Sequence, residues 1–193
     1  MRAVLAATLA AALAGPAMAQ DASRGAAHAA RACAGCHGKD GRSAMPGVPS
    51  LAGQPAEFVT LQMILFREGL RTVPPMNDLA RGLGDSQIED LAAHYAALRP
   101  GAPEDRGARD AALHERGRAL SAALHCSVCH LPDYRGRNQI PRLTGQREDF
   151  LAHTLAEYRD NRRVGTDTQM NAVMHRVPDA DIAALAHYLA QRE

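Results

Sequence analysis

Cys33-Ala34-Gly35-Cys36-His37 and Cys126-Ser127-Val128-Cys129-His130 are the two stretches on which the reading of this chain turns, and between them they hold all four of its cysteines. Two cysteines at i and i+3 present both thiols on one side of a helical turn. That spacing suits thioether bonds to the two vinyl groups of one haem, and the histidine that follows lies under the ring, able to bind iron. A zinc site would need the two pairs to converge, and at roughly 90 residues apart they are far from finger or ribbon spacing. A thioredoxin-like redox pair belongs in an alternating strand–helix pattern, which the sequence lacks. Two plain disulfides would not require a histidine after each pair. The motifs therefore predict two covalently attached haems c, held by Cys33 and Cys36 and by Cys126 and Cys129, with His37 and His130 as iron ligands.

Working outward, the second half of the chain repeats the first. Gly25 precedes the first pair as Gly117 precedes the second. Pro49-Ser50-Leu51-Ala52-Gly53-Gln54 corresponds to Pro141-Arg142-Leu143-Thr144-Gly145-Gln146, Phe58 to Phe150, and the stretch from Ile88 to Tyr95 to that from Ile182 to Tyr188, all at an offset of 92 to 94 residues. A register kept over so many landmarks predicts two tandem domains. The expected division is 20–99 and 110–193, joined by a Pro- and Gly-rich linker over 100–109. Helical periodicity predicts three helices in each repeat: Ala22 to Ala32, Ala56 to Glu68 (stopped by Gly69) and Ser86 to Leu98, then Asp110 to Leu124, Arg147 to Arg159 and Asp179 to Gln191. Neither repeat shows an alternating strand pattern, so the expected class is all-α. Domains this small struggle to bury enough surface alone. With no Trp, three Phe and four Tyr, the chain's own aromatics cannot fill two cores, and a large flat cofactor in each would supply what is missing.

Iron bound by one histidine keeps its other face open, and each repeat offers a sixth ligand at the same place. Met76 stands 12 residues before Ile88 and Met170 stands 12 before Ile182. Met76 follows Pro74 and Pro75, which are expected to hold an extended loop against the haem. Met174 rivals Met170, since it also precedes the last helix; Met45 and Met63 read as packing residues. A thioether is soft and neutral, and paired with histidine it raises the reduction potential. An axial imidazole also needs a hydrogen-bond acceptor for its other ring nitrogen. The Pro-x-Leu-x-Gly stretches place Pro49 and Pro141 to supply that carbonyl, with Leu51 and Leu143 packing on the haem. His94 and His187 are expected at the surface or in packing, and His28, His114, His125, His153 and His175 show no ligand pattern. Arg135, Arg137, Arg142 and Arg147 cluster after the second motif; most should be solvated, with one or two free to pair with haem propionates or a partner's carboxylates.

The start of the chain carries Met1-Arg2, an apolar run from Ala3 to Leu13, Gly15-Pro16 and Ala17-Met18-Ala19, which are the parts of a secretory signal peptide over 1–19. The alternative, an uncleaved helix or membrane anchor, meets the difficulty that the run is shorter than the roughly 20 apolar residues of a span. Beyond Arg2 the charges balance, 21 Lys+Arg against 21 Asp+Glu, which argues against nucleic acid as a partner.

On these residues each half resembles a class I cytochrome c domain, and the whole resembles the dihaem cytochrome c4 family. Carried over are Cys33, Cys36, His37 and Met76, then Cys126, Cys129, His130 and Met170. Gly25 with Tyr95, and Gly117 with Tyr188, look like that fold's contact between first and last helices. The resemblance implies two haem domains related by a pseudo-twofold axis, a periplasmic location, and electron transfer from a respiratory donor such as a cytochrome bc complex to a terminal oxidase or periplasmic reductase, with peripheral contact at membrane complexes. It also leaves a second role open, the dihaem subunit of a periplasmic oxidoreductase such as a flavocytochrome c sulfide dehydrogenase. A haem enzyme of the peroxidase or thiosulfate-oxidising kind needs an open iron, and matched methionines in both repeats argue against it; the expectation is a protein with no catalytic residues.

Overall fold

The computed structural model describes residues 20–163 and 168–192. Residues 1–19, on which the expected leader falls, lie outside them. Regular structure among the described residues is helical, apart from one isolated bridge between Arg137 and Ile140. The N-terminal half holds α1 (Ala22–Ala32), α2 (Ala34–His37), α3 (Ala56–Arg67), α4 (Pro74–Ala80) and α5 (Asp85–Ala97). The C-terminal half repeats them as α6 (Ala111–Ala123), α7 (Cys126–His130), α8 (Glu148–Arg159), α9 (Gln169–Met174) and α10 (Asp179–Ala190).

The six long helices fall within a residue of their expected ranges at each end, for reasons the sequence carries. Asp21 caps α1 by accepting from the N–H groups of Ser23 and Arg24, and Asp110 caps α6 by accepting from Leu113. Gln87 reaches back from the first turn of α5 to the N–H of Gly84. The end of α3 turns on Gly69 at φ +69°, and the same place after α8 is taken by Asn161 at φ +53°, the two residues best suited to the left-handed position past a helix end.

The segment around Met76 differs from expectation. It is not an extended loop: Pro74 and Pro75 open the helix α4, where a missing N–H costs nothing and a fixed φ is pre-set for the turn. Asn77 locks it, accepting from the Val73 N–H and donating to the carbonyls of Phe66 and Arg71. Its counterpart α9 is tied by Asn171 to the carbonyl of Tyr158.

In each half the first and last long helices cross in close contact, α1 on α5 and α6 on α10, and the middle helix packs on the last. The crossing turns on a glycine. A Cβ on Gly25 would sit 2.0 Å from the Asp90 carbonyl oxygen and 2.9 Å from His94 Cβ; on Gly117 it would sit 2.0 Å from the Ala184 oxygen and 2.6 Å from Tyr188 Cβ. The expected partner of Gly25 was Tyr95, and the structure corrects the register. His94, not Tyr95, is the counterpart of Tyr188, and Tyr95 is the counterpart of Leu189. The polar ties across the two crossings differ in their partners: in the N-terminal half Asp90 accepts from Asp21 N and from Arg24 Nε and Nη2, which holds its carboxyl below the usual range, while in the C-terminal half Ala184 stands in its place and Arg116 pairs with Asp181 instead.

Side chains and backbone of the two repeated Pro-x-Leu-x-Gly-Gln stretches tie the halves together reciprocally. Ser50 N–H donates to Gln146 Oε1 (2.8 Å) and Gln146 Nε2 to the Ser50 carbonyl (2.9 Å). Arg142 N–H donates to Gln54 Oε1 (3.0 Å) and Gln54 Nε2 to the Arg142 carbonyl (2.9 Å). Arg147, buried, adds a second clasp by reaching Asp105 in the connecting segment and the Ser43 carbonyl.

Candidate haem sites

The short helices α2 and α7 carry the two motifs. In the first, α1 runs to Ala32 and Cys33 follows at once. In the second, one extra residue intervenes: His125 takes a left-handed conformation at φ 55° and restarts the chain at Cys126, which accounts for the slip in offset from 92 at the glycines to 93 at the cysteines. Cys33 and Cys126 are half-buried while Cys36 and Cys129 are exposed. Burial pushes the Cys33 and Cys126 thiols up.

Both histidines are buried, and burial holds them below the usual imidazole range, in the neutral form that can ligate a metal. Nδ1 of His37 donates to the Pro49 carbonyl and Nδ1 of His130 to the Pro141 carbonyl, each at 2.9 Å. A carbonyl can only accept, so the proton sits on Nδ1 and the lone pair of Nε2 is left for iron.

One continuous cavity runs between the halves, with about 2030 Å³ of non-atom space including its open mouth. Cys33, Cys36, His37, Pro49, Leu51 and Met76 line it from one side, and His130, Pro141, Leu143 and Met170 from the other. Cys126 and Cys129 are not on its wall; Cys126 packs against the cluster of Tyr134, Tyr188 and Leu189. Met170 is half-exposed on the cavity, whereas Met174 is buried beside Leu155, Val177 and Leu185.

The polar groups on this cavity suit an anionic, aromatic occupant. Arg71 and Arg163 stand at equivalent positions, two residues past the left-handed Gly69 and Asn161 that follow α3 and α8. Their guanidinium groups lie over equivalent rings, Arg71 4.6 Å from the centroid of Phe66 and Arg163 5.2 Å from that of Tyr158. Burial, and next the charge of Arg163, push the Arg71 guanidinium down to about 9. Buried Nε atoms of Arg142 and Arg163 have no hydrogen-bond partner. One carboxylate, Glu157, already stands on this wall 3.6 Å from Arg163; three arginines on one cavity outnumber it, and haem propionates are carboxylates of the right kind for the rest. Of the four arginines expected near the second motif only Arg142 lines the cavity; Arg135 and Arg137 are exposed, and Arg147 is spent on Asp105 and Asp149. Arg71 and Arg163 were not anticipated, although the signal existed: a left-handed cap residue followed two positions later by Arg, in both repeats. His187, expected at the surface or in packing, is buried, donating from Nδ1 to Glu148 Oε2 and accepting at Nε2 from the Asp110 N–H.

Two helical domains, each with a haem-attachment motif on a short second helix, a buried histidine backed by a proline carbonyl and a shared cavity, define a tandem class I cytochrome c. Comparison with known proteins agrees. A cytochrome c family profile matches residues 114–193, and a profile described as "Cytochrome C oxidase, cbb3-type, subunit III" matches residues 20–94. Cytochrome c4 of Pseudomonas aeruginosa is 33% identical over 154 residues, covering 76% of this chain and 77% of that protein. A protein of Thiomonas intermedia named "Thiosulfate dehydrogenase electron acceptor" is 33% identical over 152 residues, 75% of this chain and 70% of that one. The crystal structure of reduced cytochrome c4 from Pseudomonas stutzeri superimposes with a TM-score of 0.82 at 29% identity, over 91% of this chain and 100% of that one. The chain belongs to the cytochrome c4 family. It is a dihaem electron-transfer cytochrome, and its two domains each carry a covalently bound haem c.

Proposed function

We propose that this chain is a periplasmic electron carrier whose two irons are closed by matched axial pairs, His37 with Met76 and His130 with Met170. The haems supply a one-electron couple at each site; the protein's part is to hold, tune and shield them. In this reading residues 1–19 are an export signal, 20–99 and 110–193 are the two haem domains, and 100–109 connects them. Cys33, Cys36, Cys126 and Cys129 attach the rings, Pro49 and Pro141 orient the histidines, and Leu51 and Leu143 pack on the haem faces. The observation that carries it is the doubled arrangement on one cavity: a neutral buried histidine and an in-register methionine from each half. Closed irons leave no room for a substrate, so the chain is not itself an enzyme.

Donor and acceptor follow from the family's setting: a cytochrome bc complex supplies electrons, and a terminal oxidase or periplasmic reductase takes them. A second role, accepting electrons from a periplasmic sulfur-oxidising enzyme, is favoured by the name of the Thiomonas relative. Purification from the native periplasm distinguishes them, since a subunit brings a stoichiometric catalytic partner and a carrier comes alone.

The ligand assignment is tested by spectra and carbon monoxide binding of the reduced holoprotein. The unsubstituted protein should bind none. Met76→Ala should open the first haem to carbon monoxide and lower its potential with attachment intact, and Met170→Ala should do the same at the second. Met174→Ala should leave both irons closed while costing about 2–4 kcal/mol of stability through its core cavity. Unchanged spectra and potentials in Met76→Ala, or opening of the second haem by Met174→Ala alone, would defeat the assignment.

A further inference from the structure

The reciprocal glutamine contacts do more than join the halves. The carbonyl of Pro49 and the N–H of Ser50 belong to one peptide group. Its oxygen accepts from His37 Nδ1 at 2.9 Å, and its N–H donates to Gln146 Oε1, from the opposite half, at 2.8 Å. The Pro141–Arg142 peptide repeats this: its oxygen accepts from His130 Nδ1 at 2.9 Å, and its N–H donates to Gln54 Oε1, again from the opposite half, at 3.0 Å. Both glutamines are buried, 4% exposed for Gln54 and 5% for Gln146.

From this geometry we infer that Gln146 tunes the haem of the N-terminal half and Gln54 tunes the haem of the C-terminal half, each acting across the interface through a shared peptide on the axial histidine. Amide resonance couples the two ends of a peptide group. Donation by its N–H makes its oxygen a better acceptor, and bonds in such a chain strengthen one another. A stronger Nδ1–H···O bond makes the imidazole more basic, which favours the more positive, oxidised iron and lowers the potential. Gln146 Oε1 also accepts from Arg147 N–H at 2.9 Å, but its bond to Ser50 is the shorter one. Gln146 Nε2 and Gln54 Nε2 donate to the carbonyls of Ser50 and Arg142, which fixes the orientation of each amide.

The consequence is a crossed dependence. A glutamine is a positioning residue for the haem it is not attached near in sequence, so a change in how the two halves sit together reaches both irons. The inference rests on reading His37 and His130 as iron ligands.

The test is Gln146→Leu and Gln54→Leu in the full-length holoprotein, with each haem followed separately by proton NMR during a redox titration. In Gln146→Leu the haem at Cys33 and Cys36 should favour its reduced state about threefold more, ~28 mV at 59 mV per decade. The His37 Nδ1 proton should move upfield in the reduced protein, while the other haem and His130 hold still. Gln54→Leu should give the mirror result. Movement of the haem in the substituted half, of both haems together or of neither overturns the inference. Should either variant fail to fold, amide exchange in the unsubstituted protein decides: slow exchange at Ser50 and Arg142 supports the relay, and exchange at exposed-amide rates overturns it. The unsubstituted protein also separates the two readings: if its paramagnetically shifted ring signals do not belong to His37 and His130, the ligand assignment has failed; if they do and the crossed shifts are missing, only the relay has.

Discussion

The two halves solve the same packing problem with tyrosines taken from different elements. In the N-terminal half Tyr95, on the last helix, packs with Ala29, Leu91 and Cys33. In the C-terminal half the last helix has Leu189 at that position, and the tyrosine arrives from the loop after the motif: Tyr134 packs with Leu189, Tyr188 and Cys126. Tyr134 occupies the left-handed position held by Gly41 in the first half, at φ 56° against 74°. The polar ends differ as well. Tyr134 hydroxyl meets Ser121 Oγ at 2.7 Å, where the first half has Ala29, and the Tyr95 hydroxyl is buried without a hydrogen-bond partner, the Cys33 sulfur being the polar atom that acts on it. What the repeat preserves is the volume beside the first attachment cysteine, not the position that fills it.

The backbone crossings are where the halves should behave alike. Gly25→Ala and Gly117→Ala each drive a Cβ to 2.0 Å from a carbonyl oxygen of the last helix, and a backbone atom cannot swing aside as a side-chain end can. Each should cost about 4 kcal/mol, in the range reserved for the most damaging substitutions, seen as a large fall in the unfolding midpoint and in haem content. The likeness breaks if one variant keeps both haems and its midpoint while the other does not.

The tyrosines are where the halves should part. Tyr134→Phe removes the partner of Ser121, which is fully buried, and should cost about 1–2 kcal/mol. Tyr95→Phe removes a hydroxyl whose polar neighbour is the Cys33 sulfur, a weak acceptor, and should cost less than about 0.5 kcal/mol. Denaturant unfolding of the two holoprotein variants checks this, and equal losses would mean that Tyr95 hydroxyl has a partner of its own in the loaded protein.

That asymmetry also marks how far the sequence could be read. The attachment motifs, the repeat and the six long helices were legible because each is a local pattern longer than its background. The register of the last helices was not. The pairing of His94-Tyr95 with His187-Tyr188 is attractive by eye, but one residue turns a helical side chain by about 100°, and the contacts at Gly25 and Gly117 fix the other alignment. Helices α2, α4, α7 and α9 were missed as helices because four to seven residues are too few to show a period. The Pro74-Pro75 pair reads as readily as a loop as it does as a helix start. Arg71 and Arg163 escaped because no spacing rule links them to the motifs; the repeat marks them as equivalent, two residues past Gly69 and Asn161, but only the fold brings both to one cavity.

A smaller effect is expected directly after the second histidine, at Leu131, the counterpart of Gly38 after the first. Gly38 and Leu131 are equivalent and share one conformation, φ 82° with ψ 150° against φ 71° with ψ 160°. That region is close to glycine-only and costs a side-chain-bearing residue about 1–3 kcal/mol. In the first half a Cβ is also barred outright, since it would stand 2.2 Å from the Arg42 carbonyl oxygen. In the second half the loop to the Pro-x-Leu-x-Gly stretch is one residue shorter and runs differently, so a leucine fits in space while its backbone stays strained. Leu131→Gly should relieve that strain, lose part of a half-buried side chain and add disorder to the unfolded chain, which glycine increases by about 0.5–1 kcal/mol. The balance is a small gain, under about 1 kcal/mol, and a rise in the midpoint of no more than roughly 2–4 °C for a chain of this length. Gly38→Leu should do the opposite, because it adds both the strain and the clash. A lower midpoint for Leu131→Gly would mean that the leucine's packing outweighs its backbone, and that the C-terminal half has made the departure from glycine into a contact it depends on.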